Sequence, residues 1–326
     1  MASPLLFLVL LVPLLLFAVL SFLVRPKPTR IPIKNRHVLI SGGSSGIGLS
    51  LARLAAASGA RVSILARNQA RLDEAAESIR LATGVEVASF SADVRDADAV
   101  ARAVAEAGPV DVLICNHGVF SPGEMVEQDL EETRFMVEVN LMGTFHLIKA
   151  ALPAMKRKAR ETGVPASIAI MSSQAGQVGV YGYTAYSASK FGLRGLGEAL
   201  QQEVIADNIH VSLIFPPDTD TPGFAEEIKL RSELGNIIAG SSGGMKSDDV
   251  AEKTLNGIKS ATFIVPCNFE GTMLSIATAG LSPQRSSLTA LLEVFGAGPM
   301  RFLGLCFQWS WYCAIEKYTR KHRGST

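Results

Sequence analysis

The chain has 326 residues, and its 31 lysines and arginines nearly balance its 30 aspartates and glutamates, which leaves a formal net charge of +1. This balance argues against nucleic acid as a partner, because such binding depends on a strongly basic face. Hydrophobic residues make up 48% and charged residues 19%, which excludes a disordered protein and is more apolar than most soluble enzymes. The four cysteines show no CxxC or metal-ligand spacing, so we expect free thiols in a reducing compartment and no metal site.

The first 24 residues contain no charged side chain. As a helix they would extend about 36 Å, enough to cross a hydrocarbon core of about 30 Å. The alternative is a cleaved signal peptide, which would have a basic start, a shorter apolar core and a small-residue cleavage site, and none of these is evident. We therefore predict an uncleaved N-terminal transmembrane anchor over residues 1–24.

A basic, proline-rich linker follows over residues 25–36. It holds five lysines and arginines and three prolines, and the first acid after it is Asp73. Because positive residues that flank a span stay in the cytosol, we expect the bulk of the chain to face the cytosol, with Met1 across the membrane. The same residues also suit a plain solvated linker, and the two interpretations are compatible.

The C-terminal residues 271–326 are also apolar and end in a basic tail. Their uncharged runs, Gly271–Gln284 and Phe302–Ile315, have 14 residues each, which is short for a span but typical of a buried, re-entrant or interfacial segment. Trp309 and Trp311, just before the basic tail, favour a membrane-associated segment on the cytosolic side. The alternative is a hydrophobic subunit contact.

Residues 37–270 alternate short apolar runs, rich in β-branched residues, with helix-like stretches. The runs are His37–Ser41, Arg61–Ala66, Val85–Phe90, Val110–Cys115, Ser167–Met171, His210–Phe215 and Thr262–Pro266. The helix-like stretches include Ile47–Ala57, Gln69–Leu81, Ala97–Ala107 and Tyr186–Ala206. This alternation predicts one α/β domain with a doubly wound, Rossmann-like parallel sheet that is covered on both faces.

The first predicted strand runs into a turn in which Gly42, Gly46 and Gly48 form a G-x-x-x-G-x-G pattern. Such a turn lets the backbone approach a pyrophosphate, and the helix that follows offers free N–H groups and its positive dipole end. The alternative is a purely structural turn. The position between a strand and a helix favours dinucleotide binding.

The end of the second predicted strand favours NADPH. An acid there would bond the ribose 2′-hydroxyl of NAD, but the chain has Ala66 followed by Arg67. A guanidinium can hold a 2′-phosphate with two charge-assisted bonds, and the alternative is that Arg67 is only solvated. Asp93, after the third strand, either bonds the adenine amino group or caps the next helix.

Tyr186 and Lys190 are four residues apart in a predicted helix and share one face, and Ser173 closes the fifth predicted strand. A free tyrosine has a pKa of about 10, and a neighbouring ammonium lowers that pKa. Such a phenol can donate and accept a proton, while the serine hydroxyl holds a carbonyl oxygen. Each residue alone is commonplace, and Tyr181 and Tyr183 are nearby tyrosines without this spacing.

These features together resemble the short-chain dehydrogenase/reductase family over roughly residues 36–266. The matching residues are the glycine turn, Asn116, Asn140, Ser173 and the block Tyr186-Ser187-Ala188-Ser189-Lys190. The resemblance implies that Tyr186 is the general acid and that Lys190 orients the ribose and tunes Tyr186. It also implies that Ser173 positions the carbonyl and that Asn140 anchors a water leading from Lys190 to solvent.

The resemblance also implies which residues contact the cofactor, NADPH. They are Gly42, Ser44, Ser45, Gly46, Ile47, Gly48, Arg67, Asp93, Asn116, Tyr186, Lys190 and Thr221. Two positions depart from the family pattern: His117 stands where a small residue usually follows Asn116, and Pro216-Pro217 replaces the usual Pro-Gly after the sixth strand. The long helices of this family often pair subunits, which leaves a homo-oligomer open.

The stretch Phe215–Phe224, with the apolar segments, is similar to members of the family that reduce 3-ketosphinganine to sphinganine. This implies a long-chain lipid ketone substrate, sphingolipid synthesis and the endoplasmic reticulum membrane. Asp218 and Asp220 either meet the substrate ammonium or form turns, and Pro222–Gly244 is either a substrate lid or an ordinary surface loop. Two other functions stay open: a membrane-bound reductase of steroid, retinoid or acyl ketones, and a non-catalytic dinucleotide-binding scaffold or sensor.

Overall fold

The computed structural model describes residues 4–24, 28–240 and 244–323. The strands are β1 His37–Ser41, β2 Arg61–Ala66, β3 Val87–Ser91, β4 Val112–Cys115, β5 Ala166–Met171, β6 Ile209–Phe215, β7 Thr219–Asp220, β8 Met245–Lys246 and β9 Ile264–Pro266. The helices are α1 Pro4–Val24, α2 Gly46–Ala57, α3 Gln69–Thr83, α4 Ala97–Ala107, α5 Leu130–Val137, α6 Gly143–Thr162, α7 Thr184–Val204, α8 Pro222–Leu230, α9 Glu233–Ala239, α10 Ser247–Lys259, α11 Phe269–Ala277 and α12 Ser287–Arg323. A π-helix, Glu138–Met142, joins α5 to α6.

Seven strands form one parallel sheet in the order β3-β2-β1-β4-β5-β6-β9. The predicted doubly wound sheet is therefore confirmed. β7 and β8 form a separate parallel pair of two residues each. Because the strand order reverses between β1 and β4, the helices after these strands leave on opposite faces, and a crevice opens at the carboxyl ends of the strands.

Apolar side chains cover both faces of the sheet. Along β1, Val38 and Ile40 belong to a core cluster with α2, α3 and α10, whereas Leu39 belongs to a second cluster with α4, α6 and α7. All three side chains are fully buried. Burial on both faces explains why the strands of this sheet are continuous apolar runs rather than alternating ones.

Some element boundaries differ from the prediction. The third strand begins at Val87 rather than Val85, because the backbone amide of Val85 donates to Thr83 Oγ1 at the end of α3 instead of to a neighbouring strand. The strand predicted over Val110–Cys115 is shorter and begins at Val112. These shifts do not change the order or direction of the strands.

The N-terminal linker docks onto the domain where the structure describes it. Ile31 and Ile33 are buried in the cluster formed by α2, α3 and α10. The backbone amide of Ile31 donates to the carbonyl of Lys259 at 2.9 Å. Residues 28–36 are therefore fixed to the domain rather than solvated throughout, while residues 25–27 lie outside the described residues.

The C-terminal apolar segment contains a helix that is longer than either of its uncharged runs. The run Phe302–Ile315 is the middle of α12, which has 37 residues and continues through Glu293 and Arg301. The uncharged run is thus one part of a helix that also includes Pro299, although proline often marks a helix boundary. The other run, Gly271–Gln284, contains most of α11 and the loop after it.

Two helical segments among the described residues are long and apolar enough to cross a membrane, Leu130–Thr162 and Ser287–His322. The most apolar window of the first is 44% buried, as expected of a core element, but that of the second is only 6% buried. Leu11–Val24, near the N-terminus, is a shorter apolar helical segment among the described residues. α1 and α12 contact each other, so the exposed apolar helices lie together.

Candidate active site

A cavity of about 1420 Å³ opens at the carboxyl ends of the sheet strands. One part, the turn region, is lined by the residues predicted to bind a dinucleotide: Gly42, Ser44, Ser45, Gly46, Ile47, Arg67, Asp93, Asn116 and Thr221. Another part, the apolar region, is lined by residues of α11 and α12: Met273, Leu274, Ala277, Met300, Leu303, Phe307, Trp311 and Tyr312. Ser173, Tyr186 and Lys190 line the same cavity. The structure thus brings most of the predicted cofactor and catalytic residues to one cavity, with Gly48 and Asn140 outside its lining.

The glycine turn has no room for side chains. Gly42 and Gly46 have φ angles of +66° and +53°, in the left-handed region that favours glycine. A Cβ on Gly42 would lie 3.0 Å from the backbone of His117, and one on Gly48 would lie 2.0 Å from the Gly42 carbonyl oxygen. Gly48 does not line the cavity, so its role is to let α2 approach the turn closely.

The N-terminus of α2 is open to the cavity. Ser45 precedes the helix in an extended conformation and makes no side-chain capping bond, so the first helical amides keep their donors for a ligand. Ser44, Ser45 and Ile47 line the cavity beside these amides. This donor set, together with a turn that has no Cβ atoms at its tightest points, fits the pyrophosphate of a dinucleotide.

Two guanidinium groups line the cavity beyond β2. Arg67 directly follows the strand, and Arg71 lies in the first turn of α3; both are exposed. Asn68 caps α3 by accepting from the Arg71 amide at 3.1 Å, which fixes the start of the helix. Arg71 was not predicted from the sequence.

Asp93 does not cap the helix that follows it. Asp96 caps α4 by accepting from the amides of Asp98 and Ala99, so the capping alternative for Asp93 is wrong. Asp93 instead accepts from the Arg95 amide at 3.0 Å and forms an ion pair with its guanidinium at 2.8 Å. These bonds hold the pKa of Asp93 below its ordinary value, so the cavity wall carries a carboxylate here.

The loop after β4 is tied to the end of β1. Asn116 donates its backbone amide to Ser41 Oγ at 3.1 Å and its side-chain amide to the Gly42 carbonyl at 3.3 Å. His117 Nδ1 is 2.7 Å from the same Ser41 hydroxyl. Burial and the nearby charge of Lys190 lower the pKa of His117 to about 3, so the ring is neutral at physiological pH. His117 therefore braces this loop.

Ser173, Tyr186 and Lys190 come together as their spacing predicts. Lys190 is buried, lies 5.6 Å from the centroid of the Tyr186 ring and donates to the Met171 carbonyl at 3.0 Å. The Ser173 hydroxyl interacts with the Tyr186 phenol and accepts from the Ala175 amide at 3.2 Å. The end of β5 and the first two turns of α7 thus bring a hydroxyl, a phenol and an amine to one place.

The pKa of Tyr186 shifts in the direction opposite to the one predicted. Burial raises the pKa of Tyr186 above its ordinary value, and the hydrogen bond with Ser173 only partly opposes this. Burial also lowers the pKa of Lys190 to about 8, so its ammonium is itself poorly stabilised. The phenol therefore holds its proton firmly at neutral pH.

Asn140 lies in the π-helix and is fully buried. Its side-chain oxygen accepts from the Val119 amide at 2.8 Å, and its side-chain nitrogen donates to the Val119 carbonyl at 2.9 Å and to Ser189 Oγ at 3.0 Å. It joins the loop after β4 to the helix that carries Tyr186. Its side chain does not line the cavity.

The segment Pro222–Gly244 is helical rather than a surface loop over its described residues, since it contains α8 and α9; residues 241–243 lie outside the description. Thr221 caps α8 by accepting from the Phe224 amide at 3.0 Å. Phe224 and Ile238 line the cavity, so both helices cover it. A Cβ on Gly46 would lie 2.9 Å from Thr221 Cγ2, which places this cover directly against the glycine turn.

A polar cluster not predicted from the sequence lines the cavity under α8. Tyr183 donates to Glu227 Oε1 at 2.5 Å, and Arg231 donates to the Tyr183 hydroxyl at 2.7 Å. Arg231 also pairs with Asp218 at 2.8 Å and with Glu227 at 3.0 Å. Asp220 does not line the cavity. These partners are distant in sequence and carry no motif; Glu227 and Arg231 only show the spacing of a helical ion pair.

Comparison with known proteins agrees with this geometry. A family model described as short chain dehydrogenase matches residues 36–231. A 3-dehydrosphinganine reductase of Arabidopsis thaliana is 63% identical over 298 residues, covering 91% of each chain, and one of Danio rerio is 35% identical over 313 residues, covering 93% of this chain and 92% of that protein. The L-sorbose reductase of Gluconobacter frateurii, solved with NADPH and L-sorbose, superposes with a TM-score of 0.64 and 24% identity over 74% of this chain and 98% of its own.

The chain therefore belongs to the short-chain dehydrogenase family, and it is an oxidoreductase that uses a nicotinamide dinucleotide. The resemblance drawn from the glycine turn and the Tyr186–Lys190 spacing is confirmed. The solved structure confirms the fold of the α/β domain.

Proposed function

We propose that this protein reduces the C3 ketone of 3-ketosphinganine to sphinganine with NADPH, a step of sphingolipid synthesis. The observation that carries the proposal is the 63% identity to a 3-dehydrosphinganine reductase across 91% of both chains. The cavity supports it, because a turn region suited to a dinucleotide is joined to an apolar region suited to an alkyl chain. Burying such a chain gains about 0.8 kcal/mol per CH₂ group.

NADPH rather than NADH is part of the proposal. Arg67 and Arg71 line the cavity after β2, where an acid would repel a 2′-phosphate and where none stands. Guanidinium groups hold phosphate oxygens with charge-assisted hydrogen bonds. The amides at the start of α2 would hold the pyrophosphate, and Asn116, Thr221 and Lys190 would hold the nicotinamide and its ribose.

The reduction has two parts, hydride transfer to the substrate carbonyl carbon and proton transfer to its oxygen, and the side chains of the site act on the oxygen. A nicotinamide held there would supply a hydride to the carbonyl carbon. Ser173 donates a hydrogen bond to the carbonyl oxygen and holds it against the phenol of Tyr186. Because burial raises the pKa of Tyr186, the phenol keeps its proton until the new C–H bond makes the carbonyl oxygen more basic. The proton then passes from the phenol oxygen to the substrate oxygen, which completes the alcohol.

Lys190 and Asn140 act behind this step. Lys190 orients the ribose and restores the proton of Tyr186, and a pKa of about 8 suits an amine that must release a proton near neutral pH. Asn140 holds the loop that carries Gly118, next to the Lys190 amine, and in our proposal it anchors the water that connects this amine to solvent. A Cβ on Gly118 would lie 3.4 Å from Asn140 Oδ1 and 3.5 Å from Lys190 Nζ.

The terminal helices are proposed to hold the enzyme at the cytosolic face of the endoplasmic reticulum membrane. α1 would be about 32 Å long, which matches a hydrocarbon core. On α12, Phe302 is 67% exposed and Trp309 is 71% exposed, more apolar surface than a soluble helix presents to water. Because α12 also lines the cavity, a substrate that resides in the bilayer would enter beside it.

The decisive experiment is turnover by the purified full-length chain in detergent. We expect NADPH absorbance to fall when 3-ketosphinganine is added, sphinganine to appear by mass spectrometry, and NADH to serve at least about tenfold less well. A protein that leaves 3-ketosphinganine unchanged but reduces a steroid, retinoid or acyl ketone would reject the substrate. A protein that binds NADPH and reduces none of them would instead be a scaffold or sensor.

The proposed orientation has its own test. A tag at the C-terminus of the chain in sealed microsomes is expected to be digested by added protease. A tag that survives until detergent opens the vesicles would contradict the cytosolic placement.

A further inference from the structure

The cavity holds a carboxylate that neither hydride nor proton transfer uses. Glu227 on α8 is 8% exposed and lines the cavity. Its Oε1 accepts from Tyr183 and Arg231, whereas Oε2 has no hydrogen-bond partner among the described residues. Oε2 is not among the enclosed polar atoms of the described residues, so it keeps access to the cavity, where a ligand can bind to it.

The cluster around Glu227 has an excess of negative charge. Asp218 and Glu227 supply two carboxylates, and Arg231 supplies the guanidinium that both of them share. Both carboxylate oxygens of Asp218 accept hydrogen bonds from Arg231, at 2.8 and 3.3 Å. Glu227 therefore has only part of one guanidinium to balance its charge, and the ligand that suits its free Oε2 is a cation.

The cluster adjoins the catalytic phenol. The rings of Tyr183 and Tyr186 are 6.0 Å apart between centroids, in an edge-to-face contact. Glu227 and Asp218 both act electrostatically on Tyr186. In a 2-amino ketone the amine is on the carbon next to the carbonyl carbon, so a group that binds the ammonium must lie beside the group that protonates the carbonyl oxygen. Glu227 lies there.

We propose that Glu227 is the residue that binds the substrate ammonium, with Asp218, Arg231 and Tyr183 holding it in place, and that it selects 2-amino ketones over ketones without an amine. This inference rests on the proposed function and adds the specificity-determining residue. Burial raises the pKa of Glu227, and an ammonium at Oε2 would favour the charged carboxylate. Of the two acids that the sequence suggested for the ammonium, Asp218 instead pairs with Arg231, and Asp220 lies outside the cavity lining.

The test measures the preference of the enzyme for a ketone with an amine over one without it, rather than its activity on one substrate. The full-length protein is assayed with NADPH on 3-ketosphinganine and on the analogue that has hydrogen in place of the amine, and the ratio of the two kcat/KM values is taken. We expect the wild-type ratio to exceed about tenfold and to fall by at least about tenfold in Glu227→Gln, which keeps the shape and removes the charge. The matched control is Glu226→Gln, an exposed neighbour on the same helix that pairs with Lys229, and it should keep the wild-type ratio.

Each outcome separates the amine site from a merely structural role. If Glu227→Gln loses equal activity on both ketones, the ratio is unchanged and the inference is overturned. A wild-type protein that reduces both ketones equally well overturns it too, while ketone reduction stands. A wild-type protein that reduces neither ketone overturns the proposed function itself.

A second measurement needs no variant, in case Glu227→Gln does not fold. A long-chain primary amine should inhibit the wild-type protein at a concentration at least about tenfold lower than the alcohol of equal chain length. Equal inhibition by the two compounds would mean that no ammonium site exists beside Tyr186.

Discussion

The turn region and the apolar region of the cavity are assembled in different ways. The turn region uses short segments that each follow a strand, and much of its surface is backbone: bare glycines, helical amides and a loop tied to Ser41. The apolar region uses side chains of α11 and α12, which come from the far end of the chain. The proposed dinucleotide site is thus encoded locally, whereas the proposed ketone site depends on tertiary packing.

Tyr186 lines the cavity that contains both regions, and in our proposal it protonates the substrate. Replacing it should therefore have the largest effect on kcat. Tyr186→Phe keeps the ring and removes the proton donor, so we expect kcat to fall about 1000-fold. The measurement is NADPH oxidation with saturating 3-ketosphinganine. Tyr181→Phe is the control, because the Tyr181 hydroxyl pairs with Glu124 and does not line the cavity. Equal rates for the two variants would mean that another group delivers the proton.

The division between the regions explains what the sequence could predict. Gly42, Gly46 and the Tyr186–Lys190 pair have fixed spacings within one turn or one helix, so their geometry follows from local structure alone. The rise in the pKa of Tyr186 could not be predicted from local structure, because it depends on how deeply tertiary packing buries the phenol. The sequence predicted a lower pKa from the ammonium of Lys190, whereas burial is the largest cause of the rise in the structure.

Replacing Lys190 measures how much its buried ammonium lowers the free energy of unfolding. Burial holds the pKa of Lys190 at about 8, below its ordinary 10.5, so its charged form destabilises the fold. This penalty is complete below pH 8, declines between pH 8 and 10.5 and is absent above. Lys190→Met should therefore lose activity yet gain up to about 3 kcal/mol of stability at pH 7, less the lost bond to the Met171 carbonyl.

We expect Lys190→Met to have a higher Tm than the wild-type protein in detergent at pH 7, and we expect this difference in Tm to disappear by pH 10.5. Lys229→Met is the control, since Lys229 is an exposed surface residue paired with Glu226, and its Tm should not change. A Lys190 variant that melts below the wild-type protein at pH 7 would mean that the ammonium stabilises the site.

The turn region alone is probed by Gly46→Ala. The methyl group would meet Thr221 at 2.9 Å on a backbone with φ of +53°, and a left-handed alanine costs about 1 to 2 kcal/mol. We expect the KM for NADPH to rise about tenfold. Gly84→Ala carries the same backbone cost at the end of α3, where nothing lies within 4 Å of the added Cβ. It should lower Tm without changing the KM for NADPH, and a similar rise in KM in both variants would show a general loss of folding instead.

The residues that sequence analysis missed lie on the cover of the cavity and in its apolar region. Glu227 and Arg231 form an ordinary helical ion pair in sequence, and only the packing of α8 over Tyr183 makes them part of the site. Sequence analysis assigned no helix to the apolar C-terminal runs, and the 37-residue α12 joins Phe302–Ile315 to the residues before it. In both cases the meaning of a residue depends on what the fold places beside it.

The apolar region alone is probed by Trp311→Ala, with the smallest expected effect. Trp311 lines the cavity and its ring contacts Phe307 at 6.4 Å between centroids, whereas Trp309 on the same helix is 71% exposed and lies outside the lining. Losing contact with one methylene of the substrate costs about 0.8 kcal/mol, roughly fourfold in kcat/KM. The preference for a long-chain over a short-chain amino ketone should thus fall about fourfold in Trp311→Ala and stay unchanged in Trp309→Ala. If Trp309→Ala lowers it equally, the alkyl chain is bound by the lipid-facing surface of α12 rather than by the cavity.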